Sequence, residues 1–429
     1  MSDNLLPDRE AIEANQLNKI NHLLTNLVPS NQFYTRKINK ADLQFPFSNL
    51  RDYTNTFPLT IKEELVEDQK TNPPYGSNLT YPLEKYTRYS QTSGTTGIPL
   101  RWLDTPESWQ WMLDNWKHVF YSVDTKPEDT IFFAFSFGPF LGFWTAFEAA
   151  QQLRCLSITG GGMSTVARLH SIIDNKVTLL CCTPTYVIRL AEVAREEKLN
   201  LEQAGVRAII AAGEPGSSIP ATRQQIELLW PGARLVDHHG MTEIGPVTYE
   251  CSKRPGVLHV IESAFIPEII NSETGKSIET GEVGELVLTN LGRIGSPLLR
   301  YRTGDMVKNG GNHLCECGTY NLALEGGILG RADDMVFIRG VNVYPSVIEK
   351  VVRTFPEIVE YQVEVNTQLA LPELLVEVEL GPQCQDSTKI TSNLEKAFDV
   401  SLSLRIPVKI ASPGSLPRFE MKANRWVKK

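Results

Sequence analysis

Between about residues 130 and 245, short apolar runs alternate with helical patterns. Thr130-Ile-Phe-Phe-Ala-Phe, Val177-Thr-Leu-Leu-Cys-Cys and Val206-Arg-Ala-Ile-Ile-Ala-Ala are strand-like, and residues 186–198, between the last two, read as a helix. Strands that alternate with helices predict βαβ units and a mostly parallel sheet. This alternation sets the fold class as α/β. After about 246 the texture changes. Residues 258–270 and 284–291 are strand-like with turn residues between them, which predicts a β-rich subdomain. Beyond 331 a small α+β unit is expected, with strands at 335–338, 360–365 and 374–380 and a helix near 346–354. At the other end, Ile12, Leu17, Ile20, Leu24 and Leu27 recur at helical spacing until Pro29, so 10–28 reads as a helix. Residues 62–78 are polar, carry Pro73-Pro74 and Gly76, and read as a loop.

The chain has 429 residues, enough for two or three domains. Its net charge of −8 argues against a nucleic-acid partner, which needs a basic face. The N-terminus lacks the basic and apolar regions of a secretory signal. The apolar stretch 130–144 is broken by Gly138, Pro139 and Gly142, short of the roughly 20 apolar residues a membrane span needs. No membrane association is expected, and a cytoplasmic protein is. Seven scattered cysteines in a chain this long are not a disulfide framework.

Five segments carry chemistry-bearing residues. The first is Ser93-Gly94-Thr95-Thr96-Gly97, whose hydroxyls and bare backbone suit a polyanion. It lacks the spacing and lysine of a Walker A loop. The second is Gly213-Glu214-Pro215, directly after an apolar strand, where open α/β folds bind ligands. The third is Asp237-His238-His239-Gly240-Met241-Thr242-Glu243. The fourth is Tyr301-Arg302-Thr303-Gly304-Asp305, and the fifth Gly330-Arg331-Ala332-Asp333-Asp334. Each alone reads as well as a turn.

Their order, together with the terminal Ser415-Leu416-Pro417-Arg418-Phe419-Glu420-Met421-Lys422-Ala423-Asn424-Arg425, resembles the adenylate-forming superfamily of acyl-CoA synthetases, peptide-synthetase adenylation domains and luciferases. IRGVNVYPS at 338–346 and the SLPRxExKxxR ending resemble the phenylacetate–CoA ligase group within it. The resemblance runs from about residue 85 to the end of the chain.

It implies a large N-terminal AMP-binding domain (1–332) of mixed and parallel sheets with helices and a β-rich subdomain. A small, mobile α+β C-terminal domain (333–429) follows, with a hinge near Asp333 and Asp334 as the neighbouring candidate. It also implies a carboxylate that attacks the α-phosphate of ATP, followed by displacement of AMP by a thiol, usually that of coenzyme A. In that scheme Ser93, Gly94, Thr95, Thr96 and Gly97 hold the departing pyrophosphate. Thr242 contacts the α-phosphate and Glu243 holds Mg²⁺, a hard cation that prefers oxygen ligands. Asp305 accepts the ribose hydroxyls. Gly213, Glu214 and Pro215 line the adenine, Asp237, His238 and His239 flank the nucleotide, and Arg331 lies near ribose and phosphates. Lys422 brings positive charge to the carboxylate and bridging oxygen during adenylation.

The acyl group has its own expected pocket, drawn from Phe135, Phe137, Phe140 and Gly240, with His238 facing the same space. Five aromatics in residues 135–144 suit an aryl or arylalkanoic acid, although ordinary core packing accounts for them equally well. Many relatives carry an aromatic where His239 stands. Cys251, His259, Cys315 and Cys317 are a candidate structural zinc site, since three thiolates and one imidazole make a closed tetrahedral set. His313 is the rival nitrogen ligand. A carrier-protein thiol in place of CoA, and a non-catalytic nucleotide sensor, remain as alternatives. Retention of Glu243, Asp305 and Lys422 together argues against the second. A homodimer is the common default for a soluble enzyme.

Overall fold

The computed structural model describes residues 7–92, 99–142, 144–214, 216–338, 341–366, 373–419 and 423–428. The chain forms two compact units, Met1–Gly162 with Val236–Gly327, and Met163–Leu235 with Ile328–Lys429.

In the first unit, helix Arg9–Leu27 begins at Asp8, whose carboxylate accepts the Ala11 N–H at 2.9 Å. Ile12, Ile20, Leu23, Leu24 and Leu27 are buried along its inner face. Gln16 is buried with them, while the predicted Leu17 is only partly covered. The Gln16 amide donates to the Phe265 carbonyl at 2.7 Å, so this polar side chain keeps its hydrogen bond inside. Strands Thr130–Phe133 and Leu156–Thr159 pair in parallel, with helix Trp144–Gln152 as the crossover. The β-rich part is a six-stranded sheet. Its order is Thr248–Glu250, Val257–Val260, Ala323–Arg331, Tyr301–Asn309, Val283–Asn290, Phe265–Ile270.

One expectation fails here. Lys62–Thr71 is a helix, not a loop. Only Leu65 and Asp68 are buried in it, so it has almost no apolar stripe to read. Its start is fixed by Glu64, which accepts the Ile61 N–H at 3.0 Å, a reciprocal of the usual cap.

In the second unit, strands Leu179–Cys182 and Ala208–Ala211 pair in parallel and all eight residues are buried. Their crossover is helix Pro184–Glu196, capped by Thr183 and opened by a proline, which has no N–H to lose there. The C-terminal part has a four-stranded sheet in the order Val408–Ala411, Glu373–Leu380, Ile358–Asn366, Trp426–Lys428. Helices Pro345–Val352 and Ser387–Leu402 share its core, with Ile348, Val352, Leu394 and Phe398 buried. Ser387–Leu402 was not expected. It buries only those last two residues, again too few to show a periodic face. Among the described residues, no helix is long and apolar enough to cross a membrane.

Candidate active site and a cysteine–histidine cluster

The segment Asp237–Glu243 leaves the end of strand Arg234–Asp237 and turns over as a short hairpin. Gly240 pairs with Pro246 and Met241 with Gly245, so Thr242 and Glu243 occupy the tip. A Cβ on Gly240 would stand 2.9 Å from the Gly245 carbonyl oxygen, closer than real contacts allow. Glycine is therefore demanded by the approach of the two hairpin arms. Thr248 fixes the preceding backbone. Its hydroxyl accepts the His239 N–H at 2.9 Å, and its carbonyl accepts from His238 Nδ1 at 2.7 Å.

Strand Tyr301–Asn309 brings the Tyr-Arg-Thr-Gly-Asp segment alongside. Alternation places Tyr301, Thr303 and Asp305 on its buried face, and Arg302 turns away to Glu285. Tyr301 donates from its hydroxyl to Glu243 Oε1 at 3.1 Å. Asp305 Oδ2 stands 3.2 Å from His239 Nε2. Two motifs nearly 60 residues apart in sequence thus meet through Glu243–Tyr301 and His239–Asp305. Glu243 and Asp305 are both buried, an arrangement that orients carboxylate oxygens for a cation and for hydroxyl donors.

His238 is buried against Trp116, ring centroids 4.3 Å apart. Burial pushes its pKa down to about 3, against a smaller upward pull from the Thr248 carbonyl. The ring is therefore neutral at pH 7. A carbonyl only accepts, so the proton sits on Nδ1.

Sequence reasoning missed the support under Thr242. Arg293 is wholly buried and forks onto Asp104, with both bonds 2.6 Å. Its third nitrogen donates to the Thr242 carbonyl at 2.8 Å. In sequence Arg293 reads as a loop residue after a strand. Only its distant partner reveals its place.

The phenylalanines pack among themselves. Phe135 and Phe137 have centroids 5.1 Å apart, and Phe137 meets Trp144 edge-on at 4.7 Å. Phe140 is exposed. Ser93, Gly94, Thr95, Thr96 and Gly97 lie outside the described residues, as do Pro215 and Lys422. The first five are bracketed by the antiparallel strands Arg88–Gln91 and Arg101–Asp104.

In the second unit, Gly213 has φ +96° and Glu214 follows it at the end of strand Ala208–Ala211. The Glu214 carboxylate accepts the Thr185 N–H at 2.7 Å and the Ala423 N–H at 2.8 Å. Arg331 pairs with Asp333 at 2.8 Å across the turn that ends strand Ala323–Arg331.

Cys251, His259, Cys315 and Cys317 come together in the first unit, their ligand atoms all within 4.8 Å of one another. Cys251 and Cys315 sulfurs are 3.7 Å apart, and Cys317 Sγ is 3.5 Å from His259 Nε2. The second pair of cysteines lies on a tight turn, with Cys315 N–H on the Thr319 carbonyl and Gly318 at φ +89°. His259 Nδ1 donates to the Asn321 carbonyl at 3.0 Å, which directs the other nitrogen at the sulfurs. Burial lowers the His259 pKa, favouring the neutral ring a metal requires. His313 is exposed and outside this group.

Residues 89–292 match the family model of the AMP-binding enzymes, and residues 340–429 that of the AMP-binding enzyme C-terminal domain. The chain is 31% identical to a phenylacetate–coenzyme A ligase of Thermus thermophilus, covering 96% of this chain and 95% of that protein. It is 30% identical to the phenylacetate–coenzyme A ligase of Escherichia coli, covering 97% and 94%. The crystal structure of 2-hydroxyisobutyryl-CoA ligase in the postadenylation state superposes with a TM-score of 0.93 at 25% identity, over 100% of this chain and 93% of that one. Fold and site thus define an adenylate-forming, AMP-binding enzyme, an acid–thiol ligase working through an acyl-adenylate. The chain belongs to the phenylacetate–coenzyme A ligase family.

Proposed function

We propose that the chain activates an aryl or arylalkanoic acid with ATP and transfers the acyl group to coenzyme A. In the first step a carboxylate oxygen attacks the α-phosphorus and pyrophosphate leaves. In the second the CoA sulfur attacks the acyl carbon, AMP leaves with the bonding pair, and the thiol proton is released to solvent. The observation that carries the reading is the meeting of the hairpin tip with strand Tyr301–Asn309, which sets buried Glu243 and Asp305 beside Tyr301 and His239. Thr242 would contact the α-phosphate from a backbone held by Arg293. Asp305 would receive the ribose hydroxyls. Lys422 would neutralise charge at the reacting phosphate during adenylation. Arg331 would lie near ribose and phosphates. A small domain, 333–429, would reorient about Asp333 between the two steps.

Glu243 fits Mg²⁺, offering a buried carboxylate oriented by the Tyr301 hydroxyl. Bound there, the cation would offset phosphate charge. The aryl class of acid is proposed from the likeness to the phenylacetate–coenzyme A ligases, while Phe135, Phe137 and Trp144 pack on one another. The cysteine–histidine group fits zinc, with a full tetrahedral donor set, convergent ligand atoms and an oriented imidazole. With no open position for substrate, its role would be structural. A cytoplasmic location accords with use of ATP and CoA.

The test is carboxylate-dependent ATP–pyrophosphate exchange over aryl and aliphatic acids without any thiol. Exchange with aryl acids is expected. Exchange with aliphatic acids alone would overturn the substrate class, and product formation only with a carrier-protein thiol would overturn the acceptor.

A further inference from the structure

Glu214 stands on the loop that sequence assigns to adenine, yet both of its carboxylate oxygens are engaged with backbone. Oε1 accepts the Thr185 N–H at 2.7 Å and Oε2 the Ala423 N–H at 2.8 Å. Thr185 is in the first turn of helix Pro184–Glu196, where free N–H groups and the helix dipole favour a carboxylate. Ala423 belongs to the C-terminal stretch that runs into strand Trp426–Lys428. The carboxylate therefore clamps that stretch to the start of the helix.

A second contact fixes the same stretch two residues on. Arg425 is buried, bonds Glu360 at 2.6 and 3.2 Å, and reaches the Thr185 hydroxyl at 3.4 Å. Its guanidinium lies over the Tyr361 ring at 5.0 Å and the Phe419 ring at 5.6 Å. Thr185 is thus gripped at its N–H by Glu214 and at its hydroxyl by Arg425. Two anchors at 423 and 425 set both position and direction of the backbone. The residue peptide-bonded to Ala423 on its N-terminal side is Lys422.

We propose that Glu214 is a positioning residue for Lys422, acting in adenylation by holding the Ala423 backbone against helix Pro184–Glu196. The proposal rests on the reading that Lys422 serves the first half-reaction. A reacting group misplaced by about 1 Å costs on the order of 10²-fold in rate. A lysine side chain is long and flexible, so a hold on the adjoining Ala423 backbone is a means by which Glu214 would limit its reach.

The experiment measures the half-reactions separately for wild type, Glu214→Ala, Glu214→Gln and Lys422→Ala. Adenylation is followed by ATP–pyrophosphate exchange. Thioester formation is followed from CoA and the prepared adenylate of the acid that supports exchange. For Glu214→Ala, kcat of adenylation is expected to fall by about 10- to 100-fold with KM for ATP little changed. Thioester formation is expected to persist, which also shows that the variant is folded. Glu214→Gln keeps one accepting oxygen for two N–H groups, so partial recovery is expected. A raised KM for ATP with unchanged kcat would overturn the proposal in favour of an adenine contact. An equal fall in both half-reactions, or no fall, would also overturn it. Wild-type adenylation rates in Lys422→Ala would instead refute the underlying assignment of the lysine.

Discussion

Replacing Arg293 with methionine tests the support beneath the hairpin tip. Arg293 and Asp104 have wholly inaccessible side chains and share two bonds of 2.6 Å. The substitution leaves a carboxylate buried with its cation gone, and it also frees the Thr242 carbonyl. Methionine fills much of the same volume, so the packing loss is secondary. Removing one partner of a buried pair costs about 3–5 kcal/mol, because the remaining charge is uncompensated. That is roughly 10²- to 10⁴-fold in the folding equilibrium, a large part of the 5–15 kcal/mol that holds typical domains together. Urea titration at pH 7, followed by tryptophan fluorescence, measures the loss. Asp104→Asn added to Arg293→Met removes the stranded charge and should return much of the stability. A single variant within about 1 kcal/mol of wild type, or a double variant no better than the single, would refute the argument.

Three further outcomes are expected. Lys422→Ala should lose acid-dependent pyrophosphate exchange while still binding ATP by calorimetry. Purified protein should hold about one zinc ion per chain by elemental analysis, and Cys315→Ser should lose both the metal and thermal stability, because structural zinc binding is folding energy. The third concerns His238. Its folded pKa is about 3 and an unfolded imidazole titrates near 6.5, so the unfolded chain binds more protons between those values. The stability that the neutral ring contributes is full above about pH 6.5 and is lost as pH falls towards 3. From pH 7 to 5.5, wild type should lose about 1 kcal/mol more unfolding free energy than His238→Phe; equal losses would show that the imidazole is not neutral and buried.

Much of this protein is legible in order of residues. The apolar runs at 130, 177 and 206 did become strands, since continuous burial leaves a continuous apolar signature. The helices Lys62–Thr71 and Ser387–Leu402 escaped because each buries only two residues, too few for a period to show. Cys251, His259 and the Cys315–Cys317 pair could be suspected from residue type, but their convergence within 4.8 Å follows from pairing strand Val257–Val260 with strand Ala323–Arg331.

The sequence by itself determined the motifs and their order, because ligand chemistry demands particular side chains and hairpin geometry demands Gly240. The tertiary structure alone decided which of them touch. Glu214 meeting Ala423, Arg293 reaching under Thr242 and His239 facing Asp305 are all contacts between segments far apart in the chain. Periodicity and propensity describe a residue's neighbours within a turn or a strand. A long-range pairing is set by how whole sheets and helices pack, and that leaves no local trace at either partner.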